Sequence, residues 1–403
     1  MARILSEGFE LNSKTIYANA VGTTSAICTI SNTTKRSGSY ALKANPSSSG
    51  GSMTWQYTAM TTNSIYYYRF YLYLNSVTTA NGIIAFIYDS FGPYFGIQLN
   101  TDKSLAVYYS TTGVSLDTKL GSNSSVLNTG QWYRVEMAGN FNTNALTAYI
   151  DGTSFSTGTI TSVGGGALDL GLEAADGTTG SFTADIYFDD VAINNNSGSF
   201  QATLPGAGQI IHLQPNAAGD NNAFTTQVGG TAGATNNFTR VDEITPDDAT
   251  SYNGDTVLNN TDDFNITDTP ATIGSSDTIN VVAVGIRFNG ASSTAEASFK
   301  VRVKKASAGT VSSSAAITPN STTWKTNANA APTNYPLVTY QDPDAGAWTK
   351  ATLDTSQIGY TISTTNTNAA NISTIWMLVD STPASGPAPS SLVGGTLSML
   401  GVG

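Results

Sequence analysis

Cysteine and histidine are nearly missing from this chain, with one of each, Cys28 and His212, in 403 residues. A single cysteine excludes an intrachain disulfide framework. Cys28 lies in the alternating run Ala26-Ile27-Cys28-Thr29-Ile30 and reads as a small strand residue. His212 sits in the apolar run Ile210-Ile211-His212-Leu213 with no thiol or serine motif beside it, so a core or interface role is expected rather than a catalytic base. Charge is scarce as well. Charged residues make up 11% of the chain, less than half the ~25% of an average soluble protein. The net charge of −11 and the pI of about 4.4 exclude a phosphate-gripping nucleic-acid binder, and there is no polybasic membrane patch. No apolar run is long enough to span a bilayer, and no apolar h-region follows Met1, so neither a membrane span nor a signal peptide is expected. Ser, Thr, Asn and Gly supply the polar surface instead, a weakly charged exterior of the kind met on secreted, cell-surface and virion proteins. A hydrophobic content of 40% with 10% aromatics is enough to build packed cores.

What is present alternates with period two. Ile65 to Leu74 places Tyr66, Tyr68, Phe70, Leu72 and Leu74 on one wholly apolar face, with Tyr67, Arg69, Tyr71 and Tyr73 on the other. Trp132 to Met137 and Leu146 to Ile150 flank a Gly/Asn-rich connection, the pattern of a β-hairpin, and Asp151-Gly152 is a turn dipeptide. Trp132 is out of phase with Val135 and Met137, which places it at the mouth of its strand. Ser298 to Lys305 alternates, with Phe299, Val301 and Val303 inward and Lys300, Arg302 and Lys304 outward. Regularly spaced strands with almost no helical periodicity predict an all-β fold, two jelly-roll-like β-sandwich domains in tandem with a flexible C-terminal arm. The Asn- and Gly-rich breaks place the first sandwich at 1–196, a linker at 197–208, the second sandwich at 209–380 and a Pro/Gly/Ser-rich arm at 381–403. The arm's Leu397, Met399, Leu400 and Val402 are candidates for docking on a neighbouring subunit, as are the basic Lys300, Arg302 and Lys304.

Trp132-Tyr133-Arg134-Val135 with Leu146 to Gly152, Phe188-Asp189-Asp190-Val191, Gly8-Phe9-Glu10 and Arg36 to Leu42 resemble segments of concanavalin A-like, laminin-G-like jelly rolls. The second half, through Val241-Asp242-Glu243, Pro246 to Tyr252, Tyr340-Gln341-Asp342-Pro343 and Ile358-Gly359-Tyr360, resembles a domain of tailed-bacteriophage virion proteins. The first likeness implies that the first and last strands lie side by side. That would bring Glu7 and Glu10 to Asp189 and Asp190 as a candidate calcium site. The acidic loop Asp242, Glu243, Asp247, Asp248 and Asp255 lacks EF-hand spacing and reads as solvated.

No Gly-x-Ser-x-Gly elbow appears. Glu173 and Asp176 are the nearest suggestion of a glycosidase carboxylate pair, but they precede a Gly/Thr loop. No catalytic residue is assigned, and the chain is expected not to be an enzyme. Tyr67, Arg69, Tyr71 and Tyr73 form a candidate glycan-binding face, with Tyr108, Tyr109 and Trp55 as further aromatics. The leading expectation is a structural virus-particle component, a capsid decoration, tail or fibre protein. It would be assembled in the host cytoplasm, exposed on the particle exterior, and in contact with its own copies and other virion proteins. The alternative is a carbohydrate-binding adhesin that takes host surface glycans, and a polysaccharide lyase or glycoside hydrolase is a third reading.

Overall fold

A computed structural model describes residues 2–14, 27–46, 53–61, 64–77, 80–89, 92–161, 167–176, 182–233, 235–327 and 335–384. The arm residues Leu397, Met399, Leu400 and Val402 lie outside them. The chain is all-β, built from four sheets whose strands pair antiparallel.

The first two sheets draw on strands up to Asn195. An eight-stranded sheet runs in the order Thr153–Thr159, Ala145–Ile150, Trp132–Asn140, Ile65–Val77, Ala184–Asn195, Ala41–Ala44 and Cys28–Ser31, and Arg3–Glu7 also pairs with Ala184–Asn195. Its partner runs Met53–Thr61, Ala167–Asp176, Gly82–Asp89, Gly92–Leu99, Leu105–Tyr109 and Thr118–Leu120. The alternation in Ile65–Val77 decides what lies between them. Tyr66, Tyr68, Phe70, Leu72 and Leu74 are all buried and share one cluster with Ala85, Ile87, Ile97, Val107 and Leu172. Each such side chain contributes about 1.5–3 kcal/mol through burial.

The hairpin forms in the register Val135 to Ile150 and Met137 to Ala148. Asp151 and Gly152, at φ 49° and 85°, make the positive-φ turn into Thr153–Thr159. Asp151 Oδ1 closes that end by accepting from the Arg134 amide at 2.9 Å.

The other two sheets draw on strands from Gln209 onward. One runs Thr226–Val228, Tyr252–Asp255, Ala370–Thr382, Thr278–Gly290 and Lys325–Thr326, with Gln209–Leu213 and Leu337–Thr339 attached off that path. The other runs Pro215–Asn222, Thr261–Ile266, Gln357–Thr364, Ser298–Lys304 and Val311–Ser313. Phe299, Val301 and Val303 point into this core as the alternation predicts. Lys304 departs from the outward expectation. It is 4% exposed and paired with Asp220 and Asp263, because carboxylates on the two strands beyond Gln357–Thr364 in the same sheet reach its ammonium.

The stretch read as a linker is held down rather than loose. The Gly206 amide donates to Glu136 Oε1 at 2.7 Å and the Gly208 amide to the Tyr71 hydroxyl at 3.2 Å, and just beyond the stretch the Ile210 amide donates to Asp190 Oδ1 at 2.5 Å. Arg3 and Arg69, both from the first sandwich, converge on Asp380 of the second, and all three are buried. Leu11, Ile210, Ala283, Tyr335, Trp376 and Leu378 form a small apolar cluster beside this ion triad. The two sandwiches therefore share a buried junction.

Candidate functional site

The junction decides which outward residues of Ile65–Val77 reach solvent. Arg69 is fully buried against Asp380 and the Asp190 and Gly206 carbonyls. Tyr71 is 6% exposed, with the Arg36 guanidinium 3.4 Å from its ring centroid. Tyr67 is half-buried, opposite Ala138 and Asn194. Of the four residues expected to form a glycan face, Arg69 and Tyr71 belong to the junction, and Tyr73 stands clear of it.

Tyr73 is the middle of a different assembly. Register places Trp132 opposite it on one side and Tyr187 on the other, with Lys43 opposite Tyr187. These four residues make a row across four strands. The Tyr73 ring lies 5.3 Å from Trp132 at a tilted 51° and 5.8 Å from Tyr187 edge-to-face at 85°, contacts that fix the rings without any ligand. Lys43 Nζ sits 5.2 Å from the Tyr187 centroid and 3.1 Å from Asp185, and Asn75 Nδ2 donates to Asp185 Oδ2 at 2.8 Å. Burial works against the Lys43 charge, but its bonds to Tyr187 and Asp185 prevail and raise its pKa. Trp132, Tyr73, Lys43 and Asp185 are all partly exposed. The site is an aromatic ledge with an amide, a carboxylate and an ammonium along one rim.

The four candidate calcium ligands lie near the start and end of the first sandwich, but not as one cluster: Glu7 accepts from the Phe9 amide at 2.5 Å. Glu7, Glu10, Asp189 and Asp190 are all buried. Asp190 takes Arg36 at 2.5 Å and the Ser37 hydroxyl at 2.6 Å. Asp189 accepts from the Arg36 amide at 2.8 Å, and Glu10 from the Ser39 amide at 2.7 Å. Burial pushes Glu10 up to about 8, and burial, then the Asp190 and Glu10 charges, push Asp189 well above the carboxylate range. Burial dominates both shifts, and both carboxylates already accept backbone amides, Glu10 from Ser39 and Tyr40 and Asp189 from Arg36 and Ser37. No group of three or more His, Cys, Asp or Glu side chains among the described residues is arranged to hold a metal. A calcium ion here would have only the buried Glu10 and Asp189 carboxylates to draw on.

The remaining candidates are otherwise engaged. Arg302 pairs with Asp263 at 3.1 Å and Lys304 is also neutralised, so among the described residues Lys300 is the charge of that strand with no ion pair. Asp248 grips Arg287 through both oxygens, at 2.5 and 2.7 Å. Asp255 accepts from three amides, those of Thr225, Thr256 and Val257. Burial, reinforced by Asp247 and Asp242, raises Glu243 to about 7. Glu173 is 7% exposed, and burial together with its charge and hydrogen bond raises the Tyr88 hydroxyl. The side chains of Asp176 and Trp55 lie outside the described residues; Tyr108 is half-buried, and Tyr109 packs on the core. A cavity of about 560 Å³ in the second sandwich is lined by Asn265, Asp268, Asp354 and Gln357 and carries no aromatic ring.

Sequence reasoning missed Tyr187, Lys43, Asp185 and Asn75, because strand order cannot be read from period-two patterns. The phase of Trp132 was the available signal, since it puts the indole on the outward face with Arg134.

No family model matches the chain, and no curated protein matches it. Solved structures do resemble it. Cellulose induced protein, Cip1, is 14% identical, over 50% of this chain and 99% of that one, with a TM-score of 0.36. A Trypanosoma rangeli sialidase is 11% identical over 41% of this chain and 26% of that one, at 0.31. An alginate lyase from Pseudomonas aeruginosa is 12% identical over 38% and 82%, at 0.30. The chain thus spans about a quarter of the sialidase's length. With sialidases and an alginate lyase among these structures, the expectation that the chain is not an enzyme is withdrawn. Likenesses at these scores assign no activity to it.

Proposed function

We propose that this is a carbohydrate-binding β-sandwich protein whose ligand lies on the ledge formed by Trp132 and Tyr73, with the buried Tyr187 supporting it. The observation that carries this reading is the row itself. Two partly exposed rings, Trp132 and Tyr73, present apolar surface beside Asp185, Asn75 and Lys43, and the buried Tyr187 ring braces Tyr73 from the side. A pyranose offers a C–H face to stack on an aromatic ring and hydroxyls for a polar rim, and preformed rings lose little freedom on binding. The test is a glycan array with the wild-type protein, Trp132→Ala and Tyr73→Ala. Truncating a central aromatic anchor costs more than about 1 kcal/mol, so binding should fall about tenfold. Unchanged array profiles for both variants would sink the reading.

A second reading places the chain on the exterior of a virus particle, in contact with its own copies and other virion proteins. It is supported by the weakly charged Ser/Thr/Asn surface and by the exposed Val257 and Leu258 at one turn. Particle incorporation that persists after deletion from Ser381 onward, and after Val257→Ser with Leu258→Ser, would exclude these contacts.

A further inference from the structure

The proposed ledge has a charge environment, and so has the whole molecule, that bears on which glycans it takes. An anionic sugar, whether a sialic acid, a uronate or a sulfate ester, is ordinarily held by arginine, whose planar fork matches the acid through two parallel bonds. This chain has seven arginines, all among the described residues. Arg3 and Arg69 are engaged by Asp380, Arg36 by Asp190, Arg134 by Glu136, Arg287 by Asp248 and Arg302 by Asp263. The seventh, Arg240, is buried and donates to the Asn236 and Thr231 carbonyls. Each of the seven forks thus has an acceptor inside the fold.

The ledge repeats this locally. Its cation, Lys43, lies 3.1 Å from Asp185, and Arg134, one step along the strand from Trp132, lies 2.9 Å from Glu136. Each positive charge near the rings has a carboxylate of its own, and around them the protein carries a net −11. An incoming acid would have to displace one of those carboxylates and approach against the net field. A neutral pyranose meets neither obstacle.

Resting on the reading of the ledge as a glycan site, we infer that its ligand is an uncharged glycan. Asp185 and Asn75 supply acceptor and donor to sugar hydroxyls, and Lys43 is held as a hydroxyl donor rather than as an acid receptor.

The test uses chemically matched pairs that differ in a carboxylate, lactose against sialyllactose and β-mannan oligomers against mannuronate oligomers. Each is titrated calorimetrically into the full chain at about 20 and about 500 mM salt. The neutral member should bind, its acidic counterpart about tenfold or more weakly, and the neutral affinity should change less than about twofold with salt. Asp185→Asn leaves Lys43 without its carboxylate and should narrow the gap within each pair. An acidic member that binds as tightly as its neutral partner, and loses affinity in high salt, overturns the inference while leaving the ledge as a glycan site. Titrations with no heat for any sugar, identical in Trp132→Ala, overturn the glycan reading and this inference together.

Discussion

His212 lies 5.8 Å from the Trp376 ring at 26°, and its two ring nitrogens are sealed from solvent without a hydrogen-bond partner. The residue as a whole is partly exposed, but its protonatable atoms are not. Burial lowers its pKa to about 3. Below the ordinary histidine pKa of about 6.5 the unfolded chain binds a proton that the folded chain refuses. Stability is therefore lost as pH falls from about 6.5 toward 3, at up to about 1.4 kcal/mol per pH unit. His212→Phe keeps the stack and should flatten the acid limb of a denaturation-versus-pH curve; an unchanged limb would show that other groups control it. Glu10 acts with the opposite sign. Its raised pKa of about 8 means the folded state favours the proton, so ionisation costs stability as pH climbs from about 4.5 toward 8. Glu10→Gln should remove that loss. Millimolar calcium should remove it too, raising the melting temperature of the wild type at pH 8 and not that of the variant. At a hundredfold excess over Kd such binding adds about 2.7 kcal/mol. A wild-type melt indifferent to calcium would eliminate the ion from this cluster.

Among the elements, the strands Ile65–Val77 and Ala370–Thr382 carry the most consequence, because each serves a sandwich core with one face and the junction with the other. Asp380, on the second, lies between two guanidiniums, and they hold its carboxyl below the usual range against the effect of burial. Removing the charge strands both arginines in a buried place. Asp380→Asn should cost about 3–5 kcal/mol in chemical denaturation; a loss under about 1 kcal/mol would mean that water reaches the triad. How much of this was legible in advance differs along a single strand. The apolar face of Ile65–Val77 was readable, because alternation separates core from non-core. Its other face was readable as outward and nothing more, since the Asp380 that covers Arg69 lies 311 residues away.

At the scale of the molecule, the junction couples the two sandwiches. The buried triad, the pinned stretch before Gln209 and the apolar cluster around Trp376 all cross between them. Calorimetry should show one transition for the wild type, and Asp380→Asn should divide it into two. Two well-separated wild-type transitions would mean that the junction transmits little. The same coupling explains why the outward face of Ile65–Val77 is largely covered. With the second sandwich seated over Arg69, and Tyr71 covered as well, the partly exposed aromatics of this row are Tyr73 and Trp132, and Tyr187 lies buried beside them.

Local chemistry alone determined a good deal of this protein. Period-two alternation settled the all-β class and the core faces, and the Asp151-Gly152 dipeptide settled a turn, which the structure forms with positive φ at both residues. These are short-range properties, set by a residue and its near neighbours in the chain. Tertiary structure alone decided which outward residues are surface, which carboxylate answers which arginine, and which rings stand in one row. Those outcomes depend on strand order and on docking between distant segments, such as Arg3 with Asp380, and alternation within one strand carries no information about either.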